Sequence, residues 1–216
     1  MSKYERGFAG MIAIGEWTIL ALQFLLYMIS PAIPGVSVIE KLTRFFSYFT
    51  TITNMLVAVT LTAIVFFPYT AAGRMFSRAS FQTAVTSYIS VVGLVYSLFL
   101  RGALNPTGWQ AIADHFLHDA APVFFFFYWL VSVPKQGLEW IDPLKWMIFP
   151  CLYVLYSIGH GSFSGWYPYW FANVGQLGYP VALRNSFLIL LAFYLVGSIY
   201  ICISKLMVVR AVRAST

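Results

Sequence analysis

The chain has 216 residues, 60% of them hydrophobic and only 9% charged. A soluble domain carries about a quarter of its residues as charges, so a water-covered globule is excluded and an integral membrane protein is expected. The net charge of +6 does not mark a nucleic-acid binder, because its Lys and Arg residues are scattered over loops and termini instead of gathered in one patch.

A bilayer-spanning helix needs roughly 20 apolar residues, and six segments meet that length. The first runs over 8–30 and stops at the turn of Pro31 to Gly35. Lys3 and Arg6 precede it as they would a signal peptide, but it is long for that role and contains Glu16, so a retained helix is expected. The second covers 42–67 and is ended by Pro68; the third covers 81–100. The fourth covers 114–133, ended by Pro134; the fifth covers 143–159; the sixth covers 181–206. The expected fold is therefore an all-α, polytopic six-helix bundle, with 1–216 as a single integral membrane domain and no internal repeat. Cys151 and Cys202 fall inside spans with no disulfide or metal spacing and read as packing residues.

Positive residues predict the orientation. Lys3, Arg6, Arg74, Arg78, Lys135, Lys145, Lys205, Arg210 and Arg213 fall on one side, against Lys41, Arg44, Arg101 and Arg184 on the other. Both termini are then expected to be cytoplasmic, and an even number of helices is consistent with their sharing a side.

Polar groups inside a span are costly and ask for a reason. In SYFTTITN, Ser47, Thr50, Thr51 and Asn54 share one helical face, which Thr43 extends. Such residues also bond back to their own backbone, but a whole stripe ending in Asn points to a bundle interior or wet cavity. DHFLHDAAP carries a second cluster. His115 and Asp119 are four apart, as are Asp114 and His118. A carboxylate one turn from an imidazole can orient it as a general base. Asp114 suits a cap at the helix start, whereas Asp119 lies further in. Thr50, about eight residues or roughly 12 Å into its helix, falls near the level of His118, four or five residues into its own. His160, Arg101 and the loop GSFSGWYPYWFANVGQLGYP fall on the same outer side, while Glu16 is deeper. A polar pocket opening outward, walled by aromatics and lidded by that loop, is expected.

Three chemistries fit such a pocket. One is an intramembrane hydrolase with Thr50 as nucleophile and His118 as base, with Asn54, Arg101 or a histidine donating to the developing oxyanion. Another is a zinc hydrolase built on His115, His118 and His160 with Asp119. The third is a proton-linked carrier of lipids or small molecules using Glu16, Asp119 and the histidines.

SYFTTITN, LRG, DHFLHDAAP, GWYPYWF and LGY, in that order over about Phe45 to Asn185, resemble a bacterial six-helix branch of the androgen-induced membrane hydrolase family. The resemblance implies an intramembrane threonine hydrolase of fatty acid esters of hydroxy fatty acids, with no cofactor or metal, whose partners are the bilayer and a lipid ester rather than nucleic acid. The family's aromatic-x-Thr element matches SYFT at Thr50, with Thr51 the neighbouring competitor. Its H-x-x-H-T element resembles HFLHD, so the histidine matches His118, with His115 beside it. Asp119 stands where the animal pattern has Thr, and the WYPY loop is an addition. On this reading Asp119 orients a histidine, and His115 and His160 shape the pocket.

Overall fold

The computed structural model describes residues 1–30, 35–102 and 105–215. The expected turn at Pro31 therefore falls outside the described residues, apart from Gly35. All regular secondary structure among the described residues is helical, with no strand. They form α1 (Lys3–Ile29), α2 (Val38–Ser47), α3 (Phe49–Phe66), α4 (Ala71–Phe76), α5 (Ala79–Val95), α6 (Gly108–His115), α7 (Ala121–Ser132), α8 (Asp142–Trp146), α9 (Ile148–Ser164) and α10 (Val174–Ser215). π turns at Tyr96–Leu100 and Phe116–Ala120 interrupt the third and fourth expected spans.

Among the described residues, four helical stretches are long and apolar enough to cross a bilayer: Lys3–Ile29, Phe49–Phe66, Ala79–Leu100 and Val174–Arg213. The stretch from α6 to α7 is diluted by its Asp and His residues and broken by its π turn, and α9 has only 17 residues. The second expected span is two helices. Tyr48, at φ −75° and ψ 126°, is extended and separates α2 from α3. The stripe from Thr43 to Asn54 thus breaks at Tyr48. Thr43 and Ser47 instead donate back to the carbonyls of Ile39 and Thr43. The expected depth of Thr50 changes too, since it is the second residue of α3 and not eight residues into a longer helix.

The chain divides into two compact units, Met1–Lys135 and Gln136–Thr216. In the first, side-chain pairs fix the helix directions. Trp17 Nε1 donates to Thr62 Oγ1 at 3.0 Å, Leu20 packs on Ala58, and Gly10 faces Val65, so α1 and α3 are antiparallel. Gln110 donates to Gln23 at 2.9 Å and Phe116 lies over Gly15, so α6 and the π turn after it also run against α1. Tyr128 donates to Gln82 at 2.8 Å and Trp129 to Thr83 at 3.0 Å, while Gly93, later in α5, faces Pro122 at the start of α7, which sets α7 antiparallel to α5. It follows that α3 and the α6–α7 stretch are parallel and start at the same end of the bundle. Fully buried Val57, Ile89, Phe125 and Trp129 fill the interior between them.

Lys135 ends this unit. Its ammonium donates to the carbonyl of Trp129 at 2.6 Å and to that of Val133, and lies 4.1 Å from the Trp129 ring centroid. It therefore caps the negative end of α7. Burial nevertheless pushes its pKa down to about 8.

In the second unit, α9 ends at Gly165, whose φ of +73° is the left-handed conformation that glycine adopts without strain. The Tyr167 ring lies where a side chain on Gly161 would stand. The aromatic loop closes in a short turn at Trp170–Ala172, whose Phe171 carbonyl accepts from Asn185 at 2.9 Å. The sixth expected span, 181–206, lies within the longer α10, whose helical path is interrupted just before it at Gly178 (φ 72°, ψ 159°).

Candidate functional site

Both π turns sit where the polar residues of the first unit gather, and such turns are frequent at functional sites. The second has a cause in the sequence. Proline lacks an N–H and its ring crowds the carbonyl four residues earlier, so Pro122 cannot continue an α-helix through His118. The N–H of Ala121 turns instead to the carbonyl of Phe116, five residues back. That leaves the Leu117 carbonyl without a helical donor, because its α-helical donor is taken and the residue five ahead is Pro122.

A side chain from α3 supplies the missing donor. Asn54 Nδ2 lies 3.3 Å from the Leu117 oxygen and 2.8 Å from that of Thr50, one turn earlier in its own helix. Both amide protons are spent on these carbonyls, so Asn54 is not the oxyanion donor that the sequence suggested. Its Oδ1 is buried and finds no hydrogen-bond partner among the described residues.

His118 is mostly buried and stacks on the Tyr96 ring, with centroids 4.1 Å apart and planes 14° from parallel. Its Nδ1 is 2.9 Å from the Asp114 carbonyl oxygen and 3.4 Å from Asp114 Oδ1. A carbonyl oxygen only accepts, which assigns the proton to Nδ1 and leaves Nε2 with its lone pair. Tyr96 donates its hydroxyl to the other Asp114 oxygen. Gly93 of α5 permits this approach, since a Cβ there would stand 3.1 Å from the His118 carbonyl oxygen.

Asp114 is thus not a helix cap. The helix begins at Gly108, six residues before it, and Asp114 is a buried partner of His118 and Tyr96. Its four-residue spacing from His118 carried that signal, whereas nothing in the sequence singled out Tyr96.

Asp119 serves the other histidine. It lies 3.0 Å from His115 Nδ1 and accepts from Arg101, which also donates to Ser97 at 3.3 Å and covers the Tyr96 ring. The Asp119 contact holds the Arg101 guanidinium even more firmly protonated than usual. This trio is exposed, and His115 and Asp119 open onto a shallow groove walled by Ile112, Phe116, Val123 and Phe124.

Thr50 is half-buried and Thr51 buried. Since α3 and the α6–α7 stretch are parallel and Asn54 meets Leu117, the residue one turn before Asn54 stands level with the residue one turn before Leu117. His118 reaches back to that level through its bond to Asp114. Glu16 is fully buried, with neither carboxyl oxygen partnered among the described residues. Thr53 and Thr60 of α3 also bury hydroxyls without a partner among those residues. His160, in the second unit, stacks on Tyr156 and meets Trp166 edge-on, with Ser164 Oγ 3.4 Å from its Nδ1.

Among the described residues, no three His, Cys, Asp or Glu side chains are grouped so as to hold a metal ion. Comparison of the chain with protein-family models, curated proteins and solved structures finds no match to any of them.

Proposed function

We propose that this chain is a six-span intramembrane hydrolase of lipid esters, of the kind the androgen-induced hydrolase resemblance implies, with Thr50 as nucleophile and His118 as general base. One observation carries the reading: the His118 proton is assigned to Nδ1 by the Asp114 carbonyl, so the basic Nε2 is left available. The arrangement follows the logic of a nucleophile, a base and a third group that orients the base. The third group is Asp114.

In the acylation step the Thr50 hydroxyl oxygen bonds to the ester carbonyl carbon as its proton passes to His118 Nε2. Collapse of the tetrahedral intermediate breaks the ester C–O bond, and the departing alcohol takes that proton. Water then attacks the acyl-threonine with His118 again as base, releasing the acid and restoring the hydroxyl. Thr50 is favoured over Thr51 because it is the less buried of the two. A lipid ester suits a site within membrane helices, since its acyl chains can enter from the bilayer. The reading includes cytoplasmic termini in a bacterial inner membrane.

The test is labelling of the purified protein by a fluorophosphonate. Wild type is expected to label, and Thr50→Ala and His118→Ala are expected to lose the label. A folded wild type that does not label, or a Thr50→Ala variant that still does, overturns the assignment. Glu16 favours a second reading, a proton-linked carrier, because a buried carboxyl within a membrane helix, without a hydrogen-bond partner among the described residues, is costly unless it is used. Glu16-dependent proton flux in vesicles, with no labelling of Thr50, would favour that reading.

A further inference from the structure

Asn54 is remote in sequence from His118, yet it touches the π turn on which His118 is carried. We propose that Asn54 is a positioning residue for the base. It supplies the hydrogen-bond donor that Pro122 denies to Leu117, and so holds the turn in the form that bonds His118 to Asp114. The proposal rests on the reading of His118 as the base.

Three observations lead to it. The turn has a backbone deficit at a defined atom, the Leu117 oxygen, created by the switch of Ala121 N–H to Phe116 and by the missing N–H of Pro122. An unmade hydrogen bond at a buried carbonyl is costly, more so inside a bilayer. Asn54 meets the deficit across helices at 3.3 Å and is itself fully buried, so no water takes its place.

The turn also carries one of the two residues whose contact matters. Asp114 precedes Phe116–Ala120 and His118 is inside it. Relaxing the turn into regular α-helix changes the rotation between those residues, and with it the bond from Nδ1 to the Asp114 carbonyl. Gly93 packs against the His118 carbonyl and leaves the turn little room to adopt another form. The same amide grips the Thr50 carbonyl at 2.8 Å. One side chain therefore ties the helix of the nucleophile to the turn of the base.

The test reads the imidazole itself. ¹⁵N-histidine is incorporated into His115→Gln/His160→Gln protein, where His118 is the sole imidazole, and its tautomer is read by NMR in bilayers. With Asn54 present, the Nδ1-protonated pattern is expected. With Asn54→Leu, the signal is expected to move toward the Nε2-protonated form that free imidazole prefers. In a Pro122→Ala background, position 122 regains an N–H, and Asn54→Leu is expected to shift the signal by less than half as much. Asn54→Ser offers a smaller substitution for the same comparison.

An unchanged His118 signal in folded Asn54→Leu overturns the proposal. So does an equal shift with and without Pro122. Failure of both Asn54 variants to fold also overturns it, since Asn54 would then serve the fold at large. No outcome depends on turnover, so a failed esterase assay and a failed positioning role remain distinguishable.

Discussion

The Nδ1 of His118 lies closer to the backbone carbonyl of Asp114, at 2.9 Å, than to its carboxylate, at 3.4 Å. The tautomer is therefore held by the main chain, and under the proposed mechanism the carboxylate has a separate task, stabilising the imidazolium formed when His118 accepts a proton. Exchanging Asp for Asn in a serine-protease triad costs about 10⁴ in rate because the tautomer is lost. Here the main-chain bond survives the substitution. Asp114→Asn is expected to lower ester hydrolysis by only about 10- to 100-fold, the worth of one hydrogen bond to a charged group. Tyr96→Phe keeps the stacked ring and removes only the donor to Asp114, so a smaller loss is expected. Steady-state hydrolysis of a chromogenic long-chain ester measures both, and a 10⁴-fold loss in Asp114→Asn would show that the carboxylate holds the tautomer after all.

Asp119 stood out in the sequence, yet it pairs with His115 and Arg101 and not with His118. Exposed ion pairs contribute little. Asp119→Asn is expected to leave hydrolysis within about fivefold of wild type, in contrast to Asp114→Asn. The same assay run on both variants decides which carboxylate serves the base.

These assignments mark where the sequence was legible. Hydrophobic length and the prolines at 68 and 134 located most of the helical stretches. The break at Tyr48 had no glycine or proline to announce it, and the polar periodicity ran through it unbroken. The start of α6 is hidden because Thr107-Gly108-Trp109-Gln110 lacks the apolar density of a span, which makes Asp114 resemble a cap. The π turn does have a signal, Pro122 four residues after His118, which breaks the α-helix and opens a carbonyl. The bond from Asn54 to Leu117 joins residues 63 apart, and no local pattern encodes it.

Gly93 offers a test of packing against the same turn. A Cβ there would meet the His118 oxygen at 3.1 Å and Pro122 Cγ at 3.2 Å. Alanine asks these neighbours to yield by a few tenths of an ångström and gains helix propensity. A branched side chain has no such compensation. Gly93→Val is expected to cost about 1–3 kcal/mol, the usual range for overpacking, and to lower hydrolysis more than Gly93→Ala. Thermal unfolding in detergent and the ester assay together check this. A Gly93→Val protein as stable and as active as wild type would show that the α5 contact does not confine the turn.

Lys135 gives a pH dependence of known sign. Burial lowers its folded pKa to about 8 from an ordinary 10.5, so the folded state releases its proton before the unfolded chain does. Between those two pH values the unfolded chain binds more protons, and stability rises with pH through that window. Below pH 8 the burial penalty is fully present and constant from this group. The Trp129 and Val133 carbonyls and the Trp129 ring favour the ammonium, and they limit the size of the effect without reversing it. The apparent melting temperature is therefore expected to climb from pH 8 to pH 10 in wild type. Lys135→Met carries no titrating group, so its own curve should lack this climb. A wild-type curve that falls across the window faster than that of Lys135→Met would mean that the carbonyl cage outweighs burial and that the amine is held charged.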